Sequence, residues 1–180
     1  MKKISALFLS FIFYSNLISA QATYTPVDAL SKVHFVIKNF GIKTGGDFTG
    51  LKGTIKFDPE KFNTSVFDVM VDAATIDTDN NSRDGHLKKA EYFDVATFKT
   101  LHFKSTKITR SSVAGRFFMY GNLTIKGVTK PVEFGFGATP KDGGYVFDGE
   151  FTINRRDFGV GGSSISLSDN LTVSLTVFAK

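Results

Sequence analysis

Apolar and polar residues alternate one by one along most of this chain beyond Tyr24, a period that only an extended strand can use. Val33, Phe35 and Ile37 alternate with His34, Val36 and Lys38, and Phe67, Val69 and Val71 with Asp68, Met70 and Asp72. Phe117 and Met119 lead to Leu123 and Ile125, with Gly121 a candidate break between them. Val132, Phe134 and Phe136 follow, then Tyr145, Phe147, Phe151 and Ile153, then Leu171, Val173, Leu175 and Val177. Ile55 with Phe57, and Leu101 with Phe103 and Ser105, complete the set. Between the runs stand turn signals: a glycine-rich bend at Gly41, Gly45 and Gly46, then Asp58-Pro59, Lys126-Gly127 and Asp142-Gly143-Gly144. One face of every strand is therefore dry and the other wet, which is the pattern of an antiparallel sheet. About eight strands with regular hairpins predict an all-β fold, a closed antiparallel barrel rather than a sandwich, since closure removes exposed strand edges.

Only the stretch Arg83–Ser105 breaks this period. Asp84 is a candidate helix cap, and Leu87, Ala90 and Phe93 recur at three-residue spacing before strand alternation resumes at Leu101. A helix of about two turns cannot stand alone in water. It is expected to span Asp84–Phe93 and to cover one end of the barrel with Leu87, Phe93 and Phe98 turned inward.

The residues exclude most chemistry. There is no Cys, hence no disulfide and no thiol nucleophile. His34, His86 and His102 lie on separate elements with no metal-ligand spacing. Asp77, Asp79 and Asn81 are spaced like the start of a calcium loop, but Ser82 stands where glycine is needed and Lys88 where a bidentate Glu is needed. No nucleophile elbow or phosphate-binding loop is present, so no enzyme and no cofactor is implied. A net charge of +5, two of it from Lys2 and Lys3, comes without the basic stripe of a nucleic-acid binder. A membrane-embedded barrel is excluded by Lys38, Asp68, Asp72, Lys104, Glu133, Asp148 and Glu150, which sit opposite the phenylalanine rows where lipid would lie.

Met1–Ala22 reads as a secretory signal: Lys2 and Lys3, the apolar run Ile4–Ile18, then SAQA, with cleavage after Ala20 or Ala22. Residues 1–20 are thus assigned to the signal and 21–180 to one domain of an exported protein, periplasmic or secreted. Monomer and homodimer both remain open.

The motif DGHLKKAEYFD followed by TFKTLHFKST resembles the central signature of the YceI-like family, lipocalin-like barrels that bind isoprenoid lipids. FTGLKGTIKFDPEKFNTS, GNLTIKGVTKPVEFGF and FTINRRDFGVG resemble further stretches of that family, in the same order. Asn39 departs from its pattern, where a histidine usually follows the first strand's lysine. By composition alone, 20 Phe and no Trp fit two readings equally: rings that fill a core, or rings that line a slot. The resemblance favours the slot and implies a lipid-binding protein whose partner is an isoprenoid, quinone or other long-chain lipid. A strand of nine residues is about 30 Å long, comparable to such a chain. Phe35, Phe67, Phe103, Phe117, Phe134, Phe136 and Phe151 are the candidate lining. Arg155 and Arg156 end a strand, as rim ion-pair partners or as cations for a polar head group. The alternative is a structural or stress-related barrel with a filled core and no physiological ligand.

Overall fold

The computed structural model describes residues 21–180; the signal reading for 1–20 lies outside the described residues. Ten strands form one antiparallel sheet: β1 (Thr23–Tyr24), β2 (Lys32–Asn39), β3 (Ile42–Phe48), β4 (Lys52–Lys56), β5 (Val66–Asp72), β6 (Thr100–Arg110), β7 (Arg116–Ile125), β8 (Val128–Lys141), β9 (Gly144–Asn154) and β10 (Leu167–Ala179). Their order is β1-β4-β5-β6-β7-β8-β9-β10-β2-β3. The sheet curls so that its inward rows converge. Its ladder does not close into the eight-stranded barrel expected from alternation, because β1 and β3 are its ends. Backbone bonds tie both ends down: Thr25 pairs with Lys180, Val27 donates to Phe178, and Asp47 exchanges bonds with Asp77.

The two strands beyond eight are those whose apolar signal is weakest. β1 has only two residues, and β3 reads IKTGGDF. Gly46 lies opposite Phe35, and a Cβ there would fall 2.6 Å from that ring, so a strand read as a bend is glycine-rich to make room for its neighbour. Gly121 likewise does not interrupt β7; a Cβ at Gly121 would fall 2.4 Å from the Phe103 ring. Three two-residue hairpins join β2–β3, β7–β8 and β8–β9. Each has positive φ at both central residues, Phe40-Gly41, Lys126-Gly127 and Asp142-Gly143, the type I′ pattern that matches strand twist. The inward rows agree with the alternation. Along β7, Phe117, Met119, Leu123 and Ile125 are buried. In β6 a bulge between Ser105 and Lys107 resets the register and brings Ile108 inside.

α1 (Asn81–Leu87) begins and ends earlier than the expected Asp84–Phe93. Its cap is Asn80, whose side chain accepts from the Arg83 N–H at 3.0 Å. Asp84 is instead buried in the first turn, accepting from the N–H and hydroxyl of Thr78. These bonds fasten the helix to the segment that leads into it, where Asp77 accepts from the Asp79 N–H in an Asx turn. Beyond Leu87 the chain continues in turns to Lys99.

Leu87 and Phe93 pack on the core as expected, while Ala90 is exposed and Phe98 covers Gly127 of the β7–β8 turn.

Candidate functional site

The interior divides into a filled end and an open end. At the filled end Phe57, 1% exposed, stands at the centre of a knot of rings. It meets Phe67, Phe117, Phe136, Tyr145 and Phe147 edge to face at 5.1–6.3 Å. At the open end, under α1, lies a cavity of about 410 Å³. Its wall is built from inward rows of the sheet: Val33, Phe35 and Ile37 of β2, Val69 and Val71 of β5, Leu101 and Phe103 of β6, Leu123 and Ile125 of β7. Phe134 of β8, Phe151 and Ile153 of β9, and Leu171, Val173, Leu175 and Val177 of β10 complete it. Leu87, Tyr92 and Phe93 roof it, with Phe158 and Val160 at the side.

The cavity stays open because its rings lie down against the wall. Phe35 and Phe103 rest on Gly46 and Gly121 across the neighbouring strand, and a Cβ at Gly149 would stand 3.2 Å from Phe134. Phe134 and Phe151 stack on each other at 4.7 Å and 20° instead of reaching across the slot. Where the inner neighbour of a ring is glycine, the ring has somewhere to fold.

Of the candidate lining, Phe35, Phe103, Phe134 and Phe151 are brought together around the cavity. Phe67, Phe117 and Phe136 sit in the filled end, 2–5% exposed, packed on Phe57. Arg155 reaches the cavity wall, but from inside the protein at 3% exposure. Its guanidinium donates to the carbonyls of Ser168, Val160 and Gly162 at 2.9–3.0 Å and to Asp169 at 2.8 Å. It therefore fastens the 159–169 segment, the ion-pair role rather than that of a waiting cation. Arg156 is half-exposed, 3.6 Å from Asp169, and does not line the cavity.

The lining contains no Asp, Glu or Lys. Its polar members are His34, Asn39, Thr44, Thr78, Arg83, His86, Arg155, Ser164 and Ser166. Arg83 is held by the Thr78 hydroxyl and carbonyl, and His86 lies tilted against Tyr92 at 4.8 Å. Lys126 donates to the carbonyls of Glu91 and Gly159, stitching the helical cap to the 159–169 segment. The other two histidines pair with carboxylates on the sheet, His34 with Asp47 at 2.6 Å and His102 with Asp68 at 2.7 Å. Among the described residues no three His, Asp or Glu converge on a metal position.

The perturbed titrations lie away from the slot. Hydrogen bonds from His102 and then Lys104 hold the Asp68 carboxyl below its ordinary range, against the opposing effect of burial. Burial, aided by Tyr24 and Asp58, pushes the Tyr145 hydroxyl up at the filled end. Such a site can hold an apolar chain by burial.

Sequence reasoning missed the β10 side of the wall, Leu171, Val173 and Leu175, together with the roof residues Tyr92, Phe158 and Val160. The signal for β10 was present, since its inward row follows the same alternation as the phenylalanines.

The description of the YceI-like domain matches residues 24–179. A UPF0312 protein of Azotobacter vinelandii is 34% identical over 135 residues, 71% of this chain and 70% of that protein. Protein YceI of Salmonella arizonae is 33% identical over the same length and shares. Among solved structures, Burkholderia cenocepacia BcnA superposes with a TM-score of 0.82 at 25% identity, covering 86% of this chain and 99% of that one. A polyisoprenoid-binding domain from Saccharophagus degradans, implicated in plant cell wall breakdown, superposes at 0.69 with 15% identity, covering 89% and 99%. The inward rows, the helical cap and the match across nearly the whole described chain together place this protein in the YceI-like domain family.

Proposed function

We propose that this protein is exported and holds a long apolar chain, of isoprenoid or acyl type, in the cavity beneath α1. The observation that carries the reading is the cavity itself. At about 24 cal/mol per Å³, each 100 Å³ of this cavity left as an empty apolar void would cost about 2 kcal/mol, a large share of a domain's whole stability. Water is a poor filler, because a water molecule needs two to four polar partners and the deep wall offers almost none. An apolar guest removes both costs, and about 410 Å³ lies within the range of small-molecule sites. Lining residues from Leu167 to Val177 run along most of β10, so the wall follows the strand. The polyisoprenoid-binding domain with the same fold supports a prenyl chain. Lys2, Lys3, the apolar run and SAQA support export to the periplasm or medium.

Native mass spectrometry of the protein taken from its own host tests both parts. The expected spectrum shows a chain shortened by the leader, carrying one lipid mass that organic extraction releases. Phe134→Asp, first shown to be folded, should lose that adduct, because the carboxylate would have to be desolvated inside the slot. An unshortened chain would remove the export reading. Absence of any adduct, together with failure to bind added polyprenyl or acyl probes, would remove the ligand reading.

A further inference from the structure

The apolar inner face does not stop at the mouth of the cavity; it runs out into solvent. Along β3 the inward row goes from buried Phe48 through Gly46 and Thr44 to Ile42, which is 71% exposed. At the tip of the same hairpin Phe40 is 80% exposed. Its backbone N–H donates to the Ser166 carbonyl at 2.8 Å, which draws the hairpin tip against the loop that carries fully exposed Ile165. Asn39, Ser164, Ser166 and Leu167, interleaved with these three, line the cavity. Three large apolar side chains therefore stand free around one opening.

Phe40 is also in the wrong place for stability. It occupies the first central position of a type I′ turn at φ 50°, where Asn, Asp or Gly is favoured and a bulky side chain is strained. The two other such turns carry Lys and Asp there. A ring held in an unfavourable conformation and left in water contributes nothing to this fold. The hairpin tip and the loop, Lys38–Lys43 and Gly159–Ser168, carry two lysines and no carboxylate, while Asp47, Asp77 and Asp79 lie on the far side of Lys43. Lys38 and Lys43 face each other on the outer side of the hairpin, both exposed.

We infer that this rim is a membrane-docking surface. Phe40, Ile42 and Ile165 enter the interfacial layer of an anionic bilayer while Lys38 and Lys43 meet its head groups, so that the cavity mouth opens onto the lipid from which its ligand comes. Apolar side chains flanked by lysines are the combination that binds such a surface. The inference rests on the reading of the cavity as a lipid site, but the two fail separately.

Wild type and variants, taken as the host processes them, are sedimented with phosphatidylcholine vesicles with and without phosphatidylglycerol. Wild type should bind the anionic vesicles. Phe40→Asn and Ile165→Ser should each weaken that binding at least about tenfold, and Lys43→Ala about fivefold. Phe40→Asn relieves the turn and should melt at the same or a higher temperature, so lost binding cannot be ascribed to misfolding. Equilibrium affinity for a soluble polyprenyl probe should be unchanged in all three, while its transfer from vesicles slows about tenfold. Vesicle binding by Phe40→Asn equal to wild type would overturn the inference. So would absence of vesicle binding with a dimer that Phe40→Asn converts to monomer, which would make the patch a contact between copies. Phe40-dependent vesicle binding without any probe affinity would uphold docking and remove the ligand reading.

Discussion

Val173→Phe separates a slot from a core in one substitution. Val173 lies opposite Phe35 on one side and Phe151 on the other, and its side chain lines the cavity. The change adds four carbons, worth roughly 3 kcal/mol gross at about 0.8 kcal/mol per buried carbon. Crowding against the flanking rings returns about 1–3 kcal/mol of that. The expected outcome is a stability unchanged or raised by up to about 2 kcal/mol, with affinity for a polyprenyl or acyl probe reduced at least about tenfold. Ala179→Leu, at a position with no exposed surface, is the contrast. Its three added carbons have no void to enter, so it should lose about 1–3 kcal/mol. Urea unfolding with unchanged slope measures the stability, and a fluorescence titration measures the binding. If Val173→Phe destabilises as much as Ala179→Leu, the open end is packed and the cavity argument is wrong. If it stabilises but binding is untouched, the lipid sits elsewhere.

Leu87→Ala should lower stability by about 2 kcal/mol, the low end for a core truncation because Leu87 is only partly buried; an unchanged urea midpoint would show that α1 is not docked. Arg155→Met should cost about 3 kcal/mol by orphaning three carbonyls and Asp169, whereas Arg156→Met should stay within about 0.5 kcal/mol, both read from urea midpoints. Asp68→Asn should lose up to about 1 kcal/mol at neutral pH. Since the folded carboxyl is depressed, its contribution is full above the ordinary carboxylate value of about 3.9 and fades as pH falls through the lowered one. The difference from wild type should therefore shrink below about pH 4 and vanish at more acid pH; a gap that persists there would contradict the pairing.

The strand faces were legible because burial on one side writes a period of two directly into the residues, and the inward rows from Val33 to Val177 follow it except at the β6 bulge between Ser105 and Lys107. β3 was not legible, because what makes it a strand is the pairing Phe35–Gly46 with β2, and a glycine opposite a ring looks like a bend when read alone. The helix boundaries failed for a similar reason. Asp84 looks like a cap in sequence, yet Thr78, six residues earlier, claims its carboxylate and leaves the cap to Asn80. Arg155 and Arg156 are indistinguishable as neighbours in a motif. Only the returning 159–169 segment decides that one is buried in carbonyls and the other stays wet.

The same limit explains why composition could not choose between filled core and slot. Phe117, Phe134, Phe136 and Phe151 all sit on inward rows and read alike. The rings around them differ. Phe117 lies opposite Phe136, and Phe57 enters from the chain end of β4 to plug the space between them. Toward α1 the rings meet glycine instead, at Gly46, Gly121 and Gly149, and fold onto the wall. Rings packed on Phe57 fill one end even where a glycine lies opposite, as Gly149 does to Phe136, and rings folded over glycine leave the other end open. Both were written in the sequence, but in pairs of residues tens of positions apart, so that register had to be known before the cavity could be read. It follows that Gly121→Ala, whose Cβ would meet the Phe103 ring at 2.4 Å and the Lys104 carbonyl oxygen at 2.7 Å, should push Phe103 toward the slot and strain the β6–β7 pairing, lowering both the affinity for a polyprenyl probe and the urea midpoint; both unchanged would refute the reading.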